Sequence, residues 1–390
     1  MDKFHPGLSQ YRAAGALDML KLETVRDIGK FEWLRLEWNE LLKASSSNSV
    51  FLTWEWLFTW WKHLSGRRQL HLLVLRRDNK LVGVAPLAIR ARQPERLIPF
   101  RTLEFLGTGT VGSDYLDLII RRGEEDDVLK ALTSYLLHHK LVIEFTRVKA
   151  TSMLVARLES ELVDRGWAVS HTTVGVCPYI DLSDMSWDSY LQTLGPAHRA
   201  NVRRRTKSAI KKFELKLELP NSERHRSIYF AMFVDLHRKR WESRDDVDEM
   251  DTPDMLQFHA ELSRIASQRE WLRLFILFLD GVPAAAIYAF MYNNKYYFYQ
   301  SGFDPAFSRY SVGLVMMGLT IKAAIDEGAD EYDMLHGNES YKYLWAQAHR
   351  DLVRINLYPR TAIGILYRRA IDLKMGIKKC IRWPRQLQVN

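Results

Sequence analysis

The chain has 390 residues, 47% of them hydrophobic and 12% aromatic, which is enough for two cores and excludes a disordered chain. Its net charge of +9 is local: eight Lys or Arg face one acid between His198 and Lys216, and eight face one acid from Pro359 onward, so the basic character points to local anionic partners. Two distant cysteines, Cys177 and Cys380, fit neither a disulfide framework nor a zinc site; with no span of ~20 apolar residues and no leader pattern, the expected location is the cytoplasm.

In chain order, a strand is predicted over Leu17 to Val25 and an amphipathic helix over Phe31 to Ala44. A short aromatic helix follows, with Thr53 as its N-cap. A hairpin runs from Leu70 to Arg76 and Lys80 to Arg90 around Asp78-Asn79. Strands at Thr102 to Leu106 and Tyr115 to Ile120 flank a glycine-rich turn. Then come a helix from Glu124 to His138, a strand from Val142 to Val148, a helix from Ser152 to Arg165 and a strand from Trp167 to Gly175. These elements complete a first mixed lobe.

A second unit opens at Cys177-Pro178-Tyr179-Ile180-Asp181-Leu182. Helices are predicted at Ser186 to Thr193, Ala197 to Phe213, Ser222 to Arg240 and Pro253 to Gln268. Strands follow at Leu272 to Asp280, Val282 to Tyr292, Lys295 to Ser301, Asp330 to Leu335 and Leu352 to Tyr358, with a helix from Ser311 to Glu327 between the third and fourth. Both halves repeat helices, hairpin strands, helix and strand. The expected fold is α/β (α+β) in two tandem lobes, each a mixed, mostly antiparallel sheet flanked by helices. The expected bounds are 17–176 and 177–358, with a basic helical tail at 359–390.

Several phrases occur in a telling order: Phe51-Leu52-Thr53-Trp54-Glu55-Trp56, Gly83-Val84-Ala85-Pro86-Leu87, Ser113-Asp114-Tyr115, Leu236-His237-Arg238-Lys239-Arg240-Trp241, Gly302-Phe303-Asp304-Pro305 and Gly337-Asn338-Glu339-Ser340-Tyr341-Lys342. Over roughly Leu17 to Tyr358 the chain resembles GNAT-type acetyltransferases of the CelD (cellulose-biosynthesis) kind, which are related to the Fem peptidyltransferases. The resemblance implies GNAT-like lobes, transfer of an acyl group from acetyl-CoA or another acyl-CoA, and an envelope or exopolysaccharide precursor as acceptor, small or glycan- or lipid-linked; the scattered histidines, with no partner at ligand spacing for His138-His139, lead us to expect no metal.

GNAT proteins hold the CoA pyrophosphate on backbone N–H groups at a helix N-terminus. The corresponding stretch is Arg309, Ser311, Val312, Gly313 and Leu314, which retains one glycine of the usual pair; the alternative is an ordinary helix start capped by Ser311. Acyl transfer needs a base and a positive or N–H group for the developing oxyanion. Asp333, His336 or Glu339 supplies the base in this reading. By the resemblance, Lys342 stabilises the oxyanion and Tyr341 protonates the leaving thiolate; alternatively Asp333 and Lys342 pair and merely fix the loop.

His237, Arg240 and Trp241 lie within one helical turn and either line an acceptor groove or serve core and cap. Asp114 and Tyr115 either bind ligand or reverse the chain. Arg203 and Lys207, with Lys211, form a basic stripe for a diphosphate or, if the enzyme uses aminoacyl donors as Fem proteins do, for tRNA; otherwise they are a solvated face. The run from Ala362 to Arg385 mixes Ile and Leu with basic residues, compatible with peripheral contact at the inner membrane. The spacing Gly107, Gly109, Gly112 imitates a dinucleotide loop, but a strand rather than a helix is expected after it, which argues against a Rossmann site. A catalytically inactive GNAT scaffold of a polysaccharide-synthesis complex is the non-enzymatic alternative.

Overall fold

The computed structural model describes residues 20–90, 101–242 and 250–371. The expectations placed on residues 17–19, on Cys380 and on the tail beyond Ile371 lie outside the described residues.

The chain opens with β1 (Leu20–Val25), α1 (Ile28–Trp33), α2 (Arg35–Lys43), a 3-10 turn (Val50–Leu52) and α3 (Trp54–Leu64). Thr53 caps α3, its hydroxyl accepting the Trp56 N–H at 3.2 Å. The indoles of Trp38, Trp54 and Trp56 each donate at 2.9 Å, to Leu52 O, Phe31 O and Ser113 Oγ. Large apolar rings can thus be buried without orphaning their polar edge, so this aromatic motif builds the core.

Next come β2 (Arg68–Leu70), β3 (Leu72–Arg77), β4 (Lys80–Ala85) and β5 (Leu87–Arg90). Asp78 and Asn79 both take positive φ, as a tight hairpin turn demands. The strand expected to run unbroken to Arg90 divides at Pro86, which has no N–H for the ladder. β4 stays in a four-stranded sheet, between β3 and the later strand β7 (Ile119–Ile120), with β1 beyond β3, whereas β5 joins a longer one. The lobe continues with β6 (Thr102–Phe105), β7 (Ile119–Ile120), α4 (Glu125–His139), β8 (Val142–Lys149), α5 (Met153–Asp164) and β9 (Ala168–Asp181). The strand expected from Tyr115 forms only at β7, because Tyr115 sits at φ 59° and neighbouring Asp114 is drawn into other hydrogen bonds.

The second half holds α6 (Trp187–Thr193), α7 (Pro196–Lys212), β10 (Leu215–Glu218), α8 (Glu223–Glu242), α9 (Pro253–Gln268), β11 (Leu272–Leu279), β12 (Val282–Tyr292), β13 (Lys295–Phe303), a 3-10 turn (Pro305–Tyr310), α10 (Val312–Asp326), β14 (Glu331–Asp333) and β15 (Ala348–Tyr358). A helical segment at 362–371 then packs Tyr367 on Tyr358.

Among the described residues eleven strands form one sheet in the order β10-β11-β12-β13-β14-β9-β15-β8-β6-β5-β2. Its pairs are antiparallel except β6 with β8 and β13 with β14. Each half therefore contains one parallel pair inside a mostly antiparallel, helix-flanked sheet, the expected tandem architecture. The expected division at 176/177 falls inside β9, which pairs with β14 over Tyr179–Asp181 and with β15 over most of its length. β15 in turn lies against β8, so the last strand extends the first lobe's sheet. Between the lobes, Trp56 meets Phe258, Phe290 and Tyr299 edge-on at 5.5 to 5.7 Å, and these ring contacts pack the two lobes against each other.

Candidate active site

β13 and β14 pair only over Lys295–Tyr297 and Glu331–Asp333 and then part. Beyond that point β13 runs on to Phe303 while the other chain turns away, leaving a cavity of about 300 Å³. Phe298, Ser301, Gly302 and Phe303 form one wall, Tyr341, Leu344 and Trp345 the other, and Gly313, Leu314, Met316 and Met317 of α10 the cover; His198 and Arg240 also reach it. The lining is largely apolar. Tyr190 donates to Trp345 O at 3.0 Å and fixes the outer wall. Arg240 donates to Ser301 O at 3.0 Å, tying α8 to β13.

At the start of α10, Ser311 adopts φ 57° and makes no side-chain cap. Val312 is buried, but a Cβ built on Gly313 meets nothing within 4 Å, so this helix N-terminus is open to an approaching group. Basic residues surround it. Arg309 lies over the Tyr310 ring at 4.7 Å, Lys212 over the same ring at 4.6 Å, and Arg205 donates to Arg309 O at 3.4 Å. Helix α7 buries Val202 and Ala209, which turns Arg205 and Lys212 toward α10 and leaves Arg203 and Lys207 exposed to solvent.

A second cavity, about 410 Å³, is lined by Asp114, Arg147, His237, Trp241, His259, Tyr299, Gln300 and His336 among others. It is fed by a bulge: the β12–β13 register shifts between Tyr288 and Ala289, and Tyr299 and the adjacent Gln300 both reach the cavity. The Trp241 indole donates to His237 Nε2 at 3.0 Å, the one-turn relationship that their spacing predicts. Asp114 is buried; its carboxylate accepts from Arg147 at 2.7 Å and from the His336 backbone N–H at 2.9 Å. Burial, with a smaller contribution from His237, pushes the His259 imidazole down to about 3, so it is neutral.

The cluster expected at 333–342 is divided among different surroundings. Asp333 faces away from both cavities: Tyr115 donates to its Oδ2 at 2.7 Å, the Leu335 N–H to its Oδ1 at 2.8 Å, and Arg350 pairs with it at 3.3 Å. Burial, then the charge of Glu331, pushes its carboxyl up to about 7. His336 is exposed at the rim of the second cavity, and Tyr341 lines the first. Lys342 is 3% exposed, donating to Leu335 O at 3.2 Å and His336 O at 2.8 Å, and Glu339 pairs with it at 3.2 Å. The pairing weighed between Asp333 and Lys342 is replaced by these separate partners. Asp114 and Tyr115 hold the second lobe's loop from the first lobe.

Tyr115, Arg147 and Leu335 all take left-handed φ near this junction, a concentration of strain of the kind found at functional sites. Arg147, His259, Tyr299, Gln300 and Arg350 were not singled out by sequence reasoning. Arg147 and Arg350 lie in strands with nothing local to mark them, and only the bulge brings Tyr299 and Gln300 to one cavity. Among the described residues no group of three or more His, Cys, Asp or Glu could hold a metal ion, and no helix is long and apolar enough to cross a membrane.

Residues 196–343 match the family described as the acetyltransferase (GNAT) domain. Among solved structures the chain is similar to FemX at 13% identity and a TM-score of 0.62, covering 86% of this chain and 97% of that one. It is also similar to a conserved protein of unknown function from Bacteroides thetaiotaomicron (10% identity, TM-score 0.54, 87% and 99% covered) and to the C-terminal domain of a putative lysylphosphatidylglycerol synthetase from Agrobacterium fabrum (9%, 0.52, 89% and 97%). No curated protein sequence matches the chain. These likenesses establish the fold. The matched segment contains α10, β13, β14 and the cleft between the last two, so the family match falls on the second lobe.

Proposed function

We propose that the chain transfers an acyl group from an acyl-CoA to an amine or hydroxyl of a polar acceptor. The observation that carries this reading is the parting of β13 from β14 beneath the open N-terminus of α10. The β13 edge beyond Tyr297 has no strand partner on that side among the described residues and suits the amides of a pantetheine arm. The positive end of α10, with Arg309, Arg205 and Lys212 nearby, suits its diphosphate. Bound acyl-CoA supplies an activated thioester carbonyl. In this arrangement the polar cavity of His237, Trp241 and Tyr299 orients the acceptor, His336 takes its proton, and Tyr341 returns a proton to the departing sulfur. An envelope or exopolysaccharide precursor of the CelD kind, met at the inner membrane, is the acceptor we favour from the sequence phrases.

Calorimetry with acetyl-CoA tests the donor. Gly313→Glu places a carboxylate at the helix N-terminus, where an added Cβ meets nothing within 4 Å among the described residues, and is expected to weaken binding at least ~10-fold, about 1.4 kcal/mol, with unchanged thermal stability. Equal affinity in the variant removes this placement. Binding weaker than about 1 mM in the native chain favours a scaffold role instead.

One observation favours a second reading. The face of α7 bearing Arg203, Arg204, Lys207 and Lys211 is exposed, which suits a polyanion such as the tRNA of an aminoacyl donor. That reading expects tRNA affinity to fall steeply with salt and to be lost when these four residues are neutralised.

A further inference from the structure

A third cavity, about 340 Å³, lies between the sheet and the loop joining α2 to α3, and it shares no lining residue with either cavity above. Three cations converge on it from three strands: Lys149 at the end of β8, Lys295 at the start of β13 and Arg350 on β15. The acids in its wall are already engaged. Glu331 and Asp333 bind Arg350, Glu331 also meets Lys295 at 3.3 Å, and Asp117 accepts from Ser152 Oγ at 2.7 Å and the Leu118 N–H at 2.7 Å. Lys149 is half-buried and has no acid within ion-pair distance among the described residues.

The rest of the wall is polar. Ser46, Ser47, Asn48 and Ser49 come from the loop, and Thr151 and Ser152, the latter's hydroxyl already given to Asp117, lead into the twelve-residue helix α5, whose first residues Met153 and Leu154 also line the cavity. Ser49 is 6% exposed, and its hydroxyl has no hydrogen-bond partner among the described residues. An oxyanion with several acceptor oxygens would satisfy an unpaired ammonium, hydroxyls and a helix N-terminus together.

We infer that this cavity binds the phosphate group of a small phosphorylated molecule, at a site separate from the acyl-CoA cleft. Lys149 supplies a cation outside any ion pair among the described residues, Lys295 the second contact, and the serine loop and the start of α5 the neutral groups. Burial first, then the charges of Arg350 and Lys295, lower the Lys149 ammonium from its ordinary value against the smaller opposing effect of Glu331 and Asp333, so an anion placed among the three cations would relieve the repulsion that remains.

Calorimetric titration of the full chain with inorganic phosphate and, separately, with glucose 6-phosphate tests the site. Saturable binding of one equivalent is expected, at least tenfold weaker in Lys149→Met and in Lys295→Met, kept in Lys149→Arg, and unchanged in Gly313→Glu. Tighter binding of the sugar phosphate assigns a phosphorylated metabolite, and binding of phosphate alone assigns the free ion. The proposal is overturned by absence of saturable binding for both probes, by affinity unaltered in both methionine variants, or by loss in Gly313→Glu, which would put the anion at α10. Because the acyl-CoA reading is probed by Gly313→Glu and this one by Lys149→Met, either fails without the other.

Discussion

The Tyr115 hydroxyl donates to Asp333 Oδ2 across 2.7 Å, joining residues 218 positions apart in the chain. With the adjacent Asp114, which accepts the His336 N–H at 2.9 Å, it clamps the second lobe's loop from the first. Tyr115→Phe keeps the ring and removes the donor. Denaturant unfolding is expected to show a loss of about 1–2 kcal/mol, and the Asp333 carboxyl should titrate still higher, because the lost hydrogen bond favours its charged form.

The same carboxylate makes a prediction about pH. Asp333 is pushed from its ordinary 3.8 up to about 7, so between those values the folded chain holds a proton that the unfolded chain has released. Its contribution to stability therefore falls as pH rises from about 4 to 7 and is level above that. Asp117, pushed up to about 6, acts in the same sense, whereas the buried imidazoles of His259 and His71 act in the opposite one. The informative measurement is the difference between native chain and Asp333→Asn: the native advantage should shrink from pH 4 to pH 7. A difference independent of pH contradicts the assigned proton.

Lys342 holds two carbonyls of the loop it would otherwise be thought to serve chemically. Lys342→Met leaves both without their charged donor and should cost about 1.5–3 kcal/mol. Any loss of transfer activity should then accompany lost order in residues 335–342, read by hydrogen exchange. Full stability with abolished turnover would point instead to direct contact with the reacting carbonyl.

Two glycines separate packing from chemistry. A Cβ at Gly302 would lie 2.3 Å from the His237 backbone nitrogen, where neither helix nor strand can yield, so Gly302→Ala should cost about 1–3 kcal/mol and misplace α8. At Gly175 the clash, 2.2 Å, is with the His336 ring, which can swing into solvent. Gly175→Ala is expected to leave the melting temperature nearly unchanged while moving His336. Activity equal to the native chain in that variant would remove His336 as the base.

Local chemistry was readable before the fold was known. Thr53 before an aromatic helix, Asp78-Asn79 between two strands and the one-turn spacing of His237 and Trp241 are contacts within a few residues, and each appears as the pattern implied. The break at Pro86 was also written in the chain, since proline lacks the ladder's N–H. The irregular stretch after Asp114 was not, because its apolar residues suit a strand and only distant partners draw it out.

Side-chain order along 333–342 implied one cluster, yet strand pairing, a left-handed turn at Leu335 and burial of Lys342 send those groups in different directions. Periodicity and turn residues act over a handful of positions, so they could define helices, hairpins and two similar halves. Which residues face a common cavity depends on strands brought together from opposite ends of the chain: β15 beside β8 carries Arg350 toward Lys149, and the parting of β13 from β14 opens the cleft. Such juxtapositions come from long-range packing, for which neighbouring residues along the chain carry no signal.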